Sequence, residues 1–407
     1  MRGREAPTSS TPARDPLAVV VGLFVASLAL RPQLLAIGPL LPAIRPDLDI
    51  PASVAGLLVT IPVLCMGIFA PVGPRIAARL GPRATFALCL ALIAACGLLR
   101  AAAPSIGPLL LATFGIGVGV GMAGAVPSMV VSLHLPHRRV LGTGAYAGGI
   151  AAGSAISAAI AVPLAGDGDW QRSLAIITIG GVASLVAWLA LTRPEGAHGH
   201  RRAPALRLPL ANRTVWLLAL AFGLQSLIFY GTVAWLPNAL VERGWSAIDT
   251  GFLIGMFNGV GVLTTLGVPL VAERLGTRRG QLTASSIVAA GTLVGINLAP
   301  DATVLWVALL GLALGAIFPL ILTLPLDVAD APAHVGAVAA TMLLGGYLLS
   351  SVGPFALGAA RDLTGGFAAS LWLLLGLAIA LVACCLTLTP TRLRHGVRGT
   401  APSGQLA

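Results

Sequence analysis

The sequence predicts an all-α membrane protein of twelve transmembrane helices, arranged as two pseudo-symmetric six-helix bundles. Three observations carry that expectation: the composition, the number of long apolar runs, and an internal duplication. Of 407 residues, 57% are hydrophobic and only 10% charged, with a mean hydropathy of +0.93. Soluble domains carry about 25% charged residues, so a soluble fold is excluded. The net charge of +11 would point to nucleic acid in a soluble chain. Here the basic residues are all arginine, and their positions mark topology instead, so no nucleic-acid partner is expected.

Residues 1–16 form a Pro-, Ser- and Arg-containing tail, and the first apolar run continues without a small-residue cleavage site, as a retained helix does. Crossing the hydrocarbon takes about 20 apolar residues. Twelve segments qualify: 17–44, 52–74, 84–103, 107–132, 140–163, 171–192, 213–237, 248–270, 281–299, 303–326, 335–359 and 368–389. The runs are continuous rather than alternating, which excludes barrel strands. They group into an N-terminal bundle (17–192), a basic linker rich in Pro and His (193–212), a C-terminal bundle (213–390) and a tail (391–407).

Arginine placement sets the orientation. With the termini inside, nineteen arginines fall on the inner side, and the outer side holds only Arg45, Arg100, Arg172, Arg243 and Arg361. The positive-inside rule therefore predicts a plasma-membrane protein with both termini cytoplasmic. All seven tryptophans, Trp235 included, fall in loops or near span ends, as interfacial anchors do. The five cysteines lie in apolar runs without metal-ligand or disulfide spacing and read as reduced core residues. No metal and no cofactor is expected, and no nucleophile–base–orienter set suggests an enzyme.

A shift of 195 residues lays Gly56 on Gly251, Pro74 on Pro269, and Arg79-Leu80-Gly81-Pro82-Arg83 on Arg274-Leu275-Gly276-Thr277-Arg278. A shift of 201 pairs Gly144-Ala145-Tyr146 with Gly345-Gly346-Tyr347. A parallel duplication with a basic turn after the second helix of each half resembles the major facilitator superfamily. In that family the loop carries Gly, three residues, Asp, Arg, any residue and Gly; here the Asp position is Ala78 in one half and Glu273 in the other. The resemblance implies a gate-latching role for Arg79, Gly81 and Arg83, and for Glu273, Arg274, Gly276 and Arg278. Phe222-Gly-Leu-Gln225-Ser-Leu-Ile-Phe229-Tyr230 with Ala234-Trp-Leu-Pro237 resembles the cyanate and nitroimidazole transporter branch. So do Leu30-Arg31-Pro32, Ile317-Phe-Pro319, Gly346-Tyr347 and Arg361-Asp-Leu-Thr-Gly365. Where members of this branch often carry an amide, four residues before Pro127, this chain has Ala123.

Arg31 is the lead for function. It stands about midway along an apolar span, while all fourteen acidic residues lie in tails, loops or span ends. A charge at the bilayer centre costs about 2.5–3.5 kcal/mol on insertion scales and usually faces a watery substrate path. Pro32 frees a backbone carbonyl, which the guanidinium could satisfy, but carbonyls alone leave its charge unneutralised. An anionic or strongly dipolar solute is the natural counterpart, since the planar guanidinium suits carboxylate-like groups. Gln225 and Phe229 share a helix face and could orient such a solute; Tyr230 lies off that face, at a pocket edge. Tyr146 and Tyr347 are mid-membrane and symmetry-related, and Asn258 is a buried amide. Thr60 and Thr323 are expected to bond their own helices.

The expected function is alternating-access transport of a small anionic or polar solute, cyanate-like, nitro-containing or carboxylate, by a lipid-embedded monomer. Proton coupling would enter with the solute or through a peripheral acid such as Asp327. A drug efflux pump and a transport-inactive sensor are the alternatives.

Overall fold

The computed structural model describes residues 16–192, 208–271, 277–328 and 332–389. In the N-terminal half, α1 (Pro16–Leu28), α2 (Pro32–Leu35) and α3 (Ile37–Asp47) form one broken span. α4 (Ala52–Phe69) is the second span and the short α5 (Val72–Leu80) prolongs it; α6 (Pro82–Ala101) is the third. α7 (Ile106–Ala123) and α8 (Val126–His134) make the fourth, and α9 (Arg139–Ala165) and α10 (Trp170–Leu191) complete the half. The C-terminal half contains α11 (Arg213–Glu242), α12 (Ala247–Val271), α13 (Arg278–Leu298), α14 (Thr303–Val328), α15 (Pro332–Thr364) and α16 (Ala368–Thr387). Twelve helical spans result, and their bounds match the apolar runs to within about five residues. Much of the linker, residues 193–207, lies outside the described residues.

Local chemistry sets the ends. Asp169 accepts a hydrogen bond from the Arg172 amide at 2.8 Å and opens α10, and Asn212 does the same for α11 through the Thr214 amide at 2.9 Å. Gly81, with φ +84°, closes α5 in a conformation that side chains rarely adopt. Arg83 donates to the carbonyls of Leu189 (3.0 Å) and Thr192 (2.7 Å), satisfying the last turn of α10. Leu111, Leu263 and Leu298 are more than half exposed on the outside of the helices, a surface that suits lipid.

With an even number of spans among the described residues, the start of α1 and the end of α16 lie on one side of the bundle, the near end; the opposite side is the far end. The halves meet in the far half of the molecule. There Gly38 packs on the carbonyl of Val233, Gly56 on that of Pro354 and Gly358 on that of Ala52, so closely that a Cβ at any of the three would clash. Asn238 donates to the Gly38 carbonyl at 3.3 Å. Asp362, at the end of α15, accepts from the amides of Ala52 (2.9 Å) and Ser53 (2.7 Å), so the C-terminal half caps the first turn of α4. At the near end, among the described residues, α5 and α8 pack chiefly within their own half. The halves are sealed together at the far end.

Two sequence expectations fail here. Trp170, Trp188 and Trp235 are not interfacial anchors but fully buried: the Trp235 indole donates to the Pro354 carbonyl at 2.7 Å and stacks near Phe367. Nearness to a span end does not fix which way a helix face points, and these faces point at other helices. Arg100, assigned to the outer loops, is likewise 0% exposed.

Candidate functional site

The site is built on the break in the first span. After Leu28 the chain turns through two short bonds, Ala29 N to Ala26 O and Leu30 N to Ser27 O (both 3.2 Å), and Pro32 restarts the helix. Proline supplies no N–H to continue the ladder but is suited to the first turn of a new helix, so the break falls before it. Arg31 sits at the break as the residue preceding α2. Lying midway along the span, it still keeps accessible surface rather than filling the core.

Across the interface, the Arg31 guanidinium lies within electrostatic reach of Tyr347 on α15 and of Tyr230 on α11. Among the described residues no carboxylate forms an ion pair with it. Tyr347 stands over Gly67 of α4, whose missing side chain gives it room, and its ring meets the edge of Phe222 with centroids 5.0 Å apart. Tyr230 is 3% exposed, directs its hydroxyl at the Met66 sulfur (3.6 Å), and packs edge-on to Phe229 at 5.2 Å. Phe229 remains partly accessible and leans on Phe257 at 5.7 Å. Arg31 from one half thus meets two tyrosines from the other. Elsewhere on the interface, Thr60 donates across it to the Ser351 carbonyl at 2.7 Å instead of bonding its own helix, whereas Thr323 does bond its own helix, at Leu320.

The remaining candidates are placed as follows. Gln225 is buried at 3% exposure and accepts from the adjacent Ser226 hydroxyl at 3.2 Å. The Asn258 amide nitrogen donates to the Ile254 carbonyl of its own helix at 2.8 Å. Tyr146 accepts from Ser128 at 3.4 Å, within the N-terminal half, so its symmetry with Tyr347 does not extend to Arg31. Arg79 is exposed at the near end, and Arg278 pairs with Asp327 at 2.6 Å within the C-terminal half. Glu273, Arg274 and Gly276 lie outside the described residues.

Sequence reasoning missed a second polar cluster. Gln33 is 3% exposed and its amide donates to Thr178 at 2.6 Å, while its main-chain and side-chain oxygens both accept from Arg100. The signal available was a polar residue two positions past Arg31, on the opposite side of the helix. Beside it runs a mostly apolar crevice of about 360 Å³, bordered by Pro32, Gln33, Gly153, Ser157, Thr178 and Ser184 but not by Arg31.

The Major Facilitator Superfamily model matches residues 19–354, which is most of the chain. The chain belongs to that superfamily. Within it, the chain is 30% identical over 346 residues to the cyanate transport protein CynX of Escherichia coli (strain K12), covering 85% of this chain and 90% of that protein. It is 28% identical over 388 residues to the 2-nitroimidazole transporter of the same organism, covering 93% and 97%. Among solved structures, a bacterial homolog of the human lysosomal transporter Spinster superposes with a TM-score of 0.77 at 15% identity, covering 95% of this chain and 98% of that one. A D-xylose–proton symporter superposes with a TM-score of 0.71 at 14% identity over 93% and 98%, and both likenesses concern the fold. This superfamily member is therefore a multi-pass membrane transporter and not an enzyme, in the branch of the cyanate and nitroimidazole transporters.

Proposed function

We propose that the protein carries a small anionic or strongly polar solute across the cytoplasmic membrane by alternating access, with Arg31 as the charge that receives it. One observation carries this reading: an arginine midway through the membrane, partly accessible as a residue, that faces two tyrosines and, among the described residues, no carboxylate. A lone cation held at low dielectric favours an anion or a strong dipole, and tyrosine hydroxyls can complete the shell of either. The named relatives support the same chemical class, since cyanate is a small anion and 2-nitroimidazole carries a nitro group with two anionic-edge oxygens. The excess of arginine at the near end supports cytoplasmic termini, with the sealed far end facing outward.

The test is transport of radiolabelled cyanate and 2-nitroimidazole in right-side-out and inverted vesicles, with native protein and with Arg31→Ala. The reading expects saturable flux of at least one probe and its loss, by more than about 30-fold, in Arg31→Ala, since unpairing a buried charge costs about 2–5 kcal/mol. Flux equal to native in Arg31→Ala overturns it.

A further inference from the structure

Arg100 poses an energetic question that the transport reading leaves open. It is fully buried at the far end of α6, it donates through Nη2 to the main-chain and side-chain oxygens of Gln33, and its Nε and Nη1 have no hydrogen-bond partner among the described residues. A buried cation with unmatched donors destabilises the fold relative to an apolar side chain of similar size. Stability alone does not account for it.

What Arg100 holds is the segment that carries Arg31. Gln33 lies two residues past Arg31, and at 100° per residue the two side chains point about 200° apart. Arg31 therefore faces the C-terminal half when Gln33 faces into its own half. There Gln33 is gripped from both sides, by Arg100 of α6 and by Thr178 of α10, whose hydroxyl donates in turn to the Leu174 carbonyl at 2.6 Å. Gly97, one turn before Arg100, leaves the space that the amide occupies: a Cβ there would stand 2.8 Å from the Thr178 hydroxyl and 3.3 Å from the Gln33 nitrogen. On another side, Gly149 and Gly153 let α9 rest directly on the carbonyls of Phe24 and Leu28, which end α1. The break is thus backed by small residues and fixed by one polar clamp.

We propose that Arg100, Gln33 and Thr178 are positioning residues that fix the α1–α2 break and thereby aim Arg31 at the interface between the halves. The functional weight of that aim rests on the transport reading; the clamp itself does not. Without it, the three-residue break between Leu28 and Pro32 has no side-chain anchor in α6 or α10, and position 31 rotates toward the packed interior.

The test reads the aim without any solute. In a background with Cys65, Cys89, Cys96, Cys384 and Cys385 replaced by Ala, Arg31→Cys is reacted with 2-sulfonatoethyl methanethiosulfonate, and the rate reports how openly position 31 meets the interface between the halves. Adding Gln33→Leu together with Arg100→Met removes both buried polar partners at once, which keeps the core apolar and foldable. The clamp predicts at least a tenfold slower reaction in monodisperse protein, and an unchanged rate overturns it. If that combination does not fold, Thr178→Val carries the test: a two- to fivefold slower reaction supports the clamp and an unchanged rate overturns it. Loss of transport in Arg31→Ala with no rate change here would keep the transport reading and discard the clamp; the reverse pattern would do the opposite.

Discussion

The first span of each half makes the most instructive pair in the molecule. In the C-terminal half it is α11, thirty uninterrupted residues from Arg213 to Glu242; in the N-terminal half it is split into α1, α2 and α3. The fourth span repeats the contrast, broken between α7 and α8 but continuous in α14. By the 195-residue shift, Ser226 stands where Arg31 does, and the shift puts Val63 opposite Asn258. Duplication therefore reproduced the scaffold and not the chemistry. One half brings a cation on a broken helix and the other brings tyrosines on continuous ones, so neither half alone holds the whole candidate site.

The halves also touch at equivalent points. Gly38 packs on Val233, its own counterpart under the same shift, so the pseudo-symmetry axis passes close to that contact. Gly38→Ala should break the comparison most severely, because its Cβ would fall inside the Val233 carbonyl. Overpacking of this kind costs about 3 kcal/mol or more, roughly a 100-fold smaller population of the far-end-closed state. Spin labels at Ser105 and Asp301, on far-end loops of the two halves, should show a longer distance by electron–electron resonance. An unchanged distance distribution would refute the seal.

Tyr347→Phe against Tyr146→Phe sharpens the same contrast. Both positions are related by the 201-residue shift, but only Tyr347 reaches Arg31. A hydroxyl offered to a charged solute is worth about 1.5–3 kcal/mol, so Tyr347→Phe should weaken solute affinity about tenfold or more. Tyr146→Phe should stay within about twofold. Equal effects would mean that the site is symmetric after all.

Asp362→Ala probes the contact that one half makes on the helix start of the other. Loss of a capping side chain costs about 1 kcal/mol, which is roughly a fivefold shift away from the far-end-closed state. The same spin-label pair should register a second, longer distance as a minor population. No change would reduce the Asp362 cap to a passive contact.

Much of this was legible without coordinates. Continuous apolar runs gave the spans, since only helices satisfy their own backbone in lipid, and Pro32 beside a mid-span arginine marked the break. Arg31 stood out because a charge that far from either span end needs a partner. The partner was harder to see, because Tyr230 is off the Gln225–Phe229 face when α11 is drawn alone, and only packing against the first span shows that this edge meets Arg31. Arg100 and Trp235 were misplaced by one shared assumption, that residues near a span end face water or headgroups. Arg100 stands one residue from the end of α6 and Trp235 seven residues inside α11, and both are fully buried against other helices.

The account stands on a solute answering Arg31 with help from the other half. Calorimetric titration of purified protein with the anionic probe, in native form, Arg31→Ala and Arg31→Lys, measures this directly. The expected result is saturable binding to native protein, none detectable in Arg31→Ala, and affinity at least tenfold weaker in Arg31→Lys, because an ammonium lacks the planar fork of donors. Binding to Arg31→Ala as tight as to native protein would contradict it.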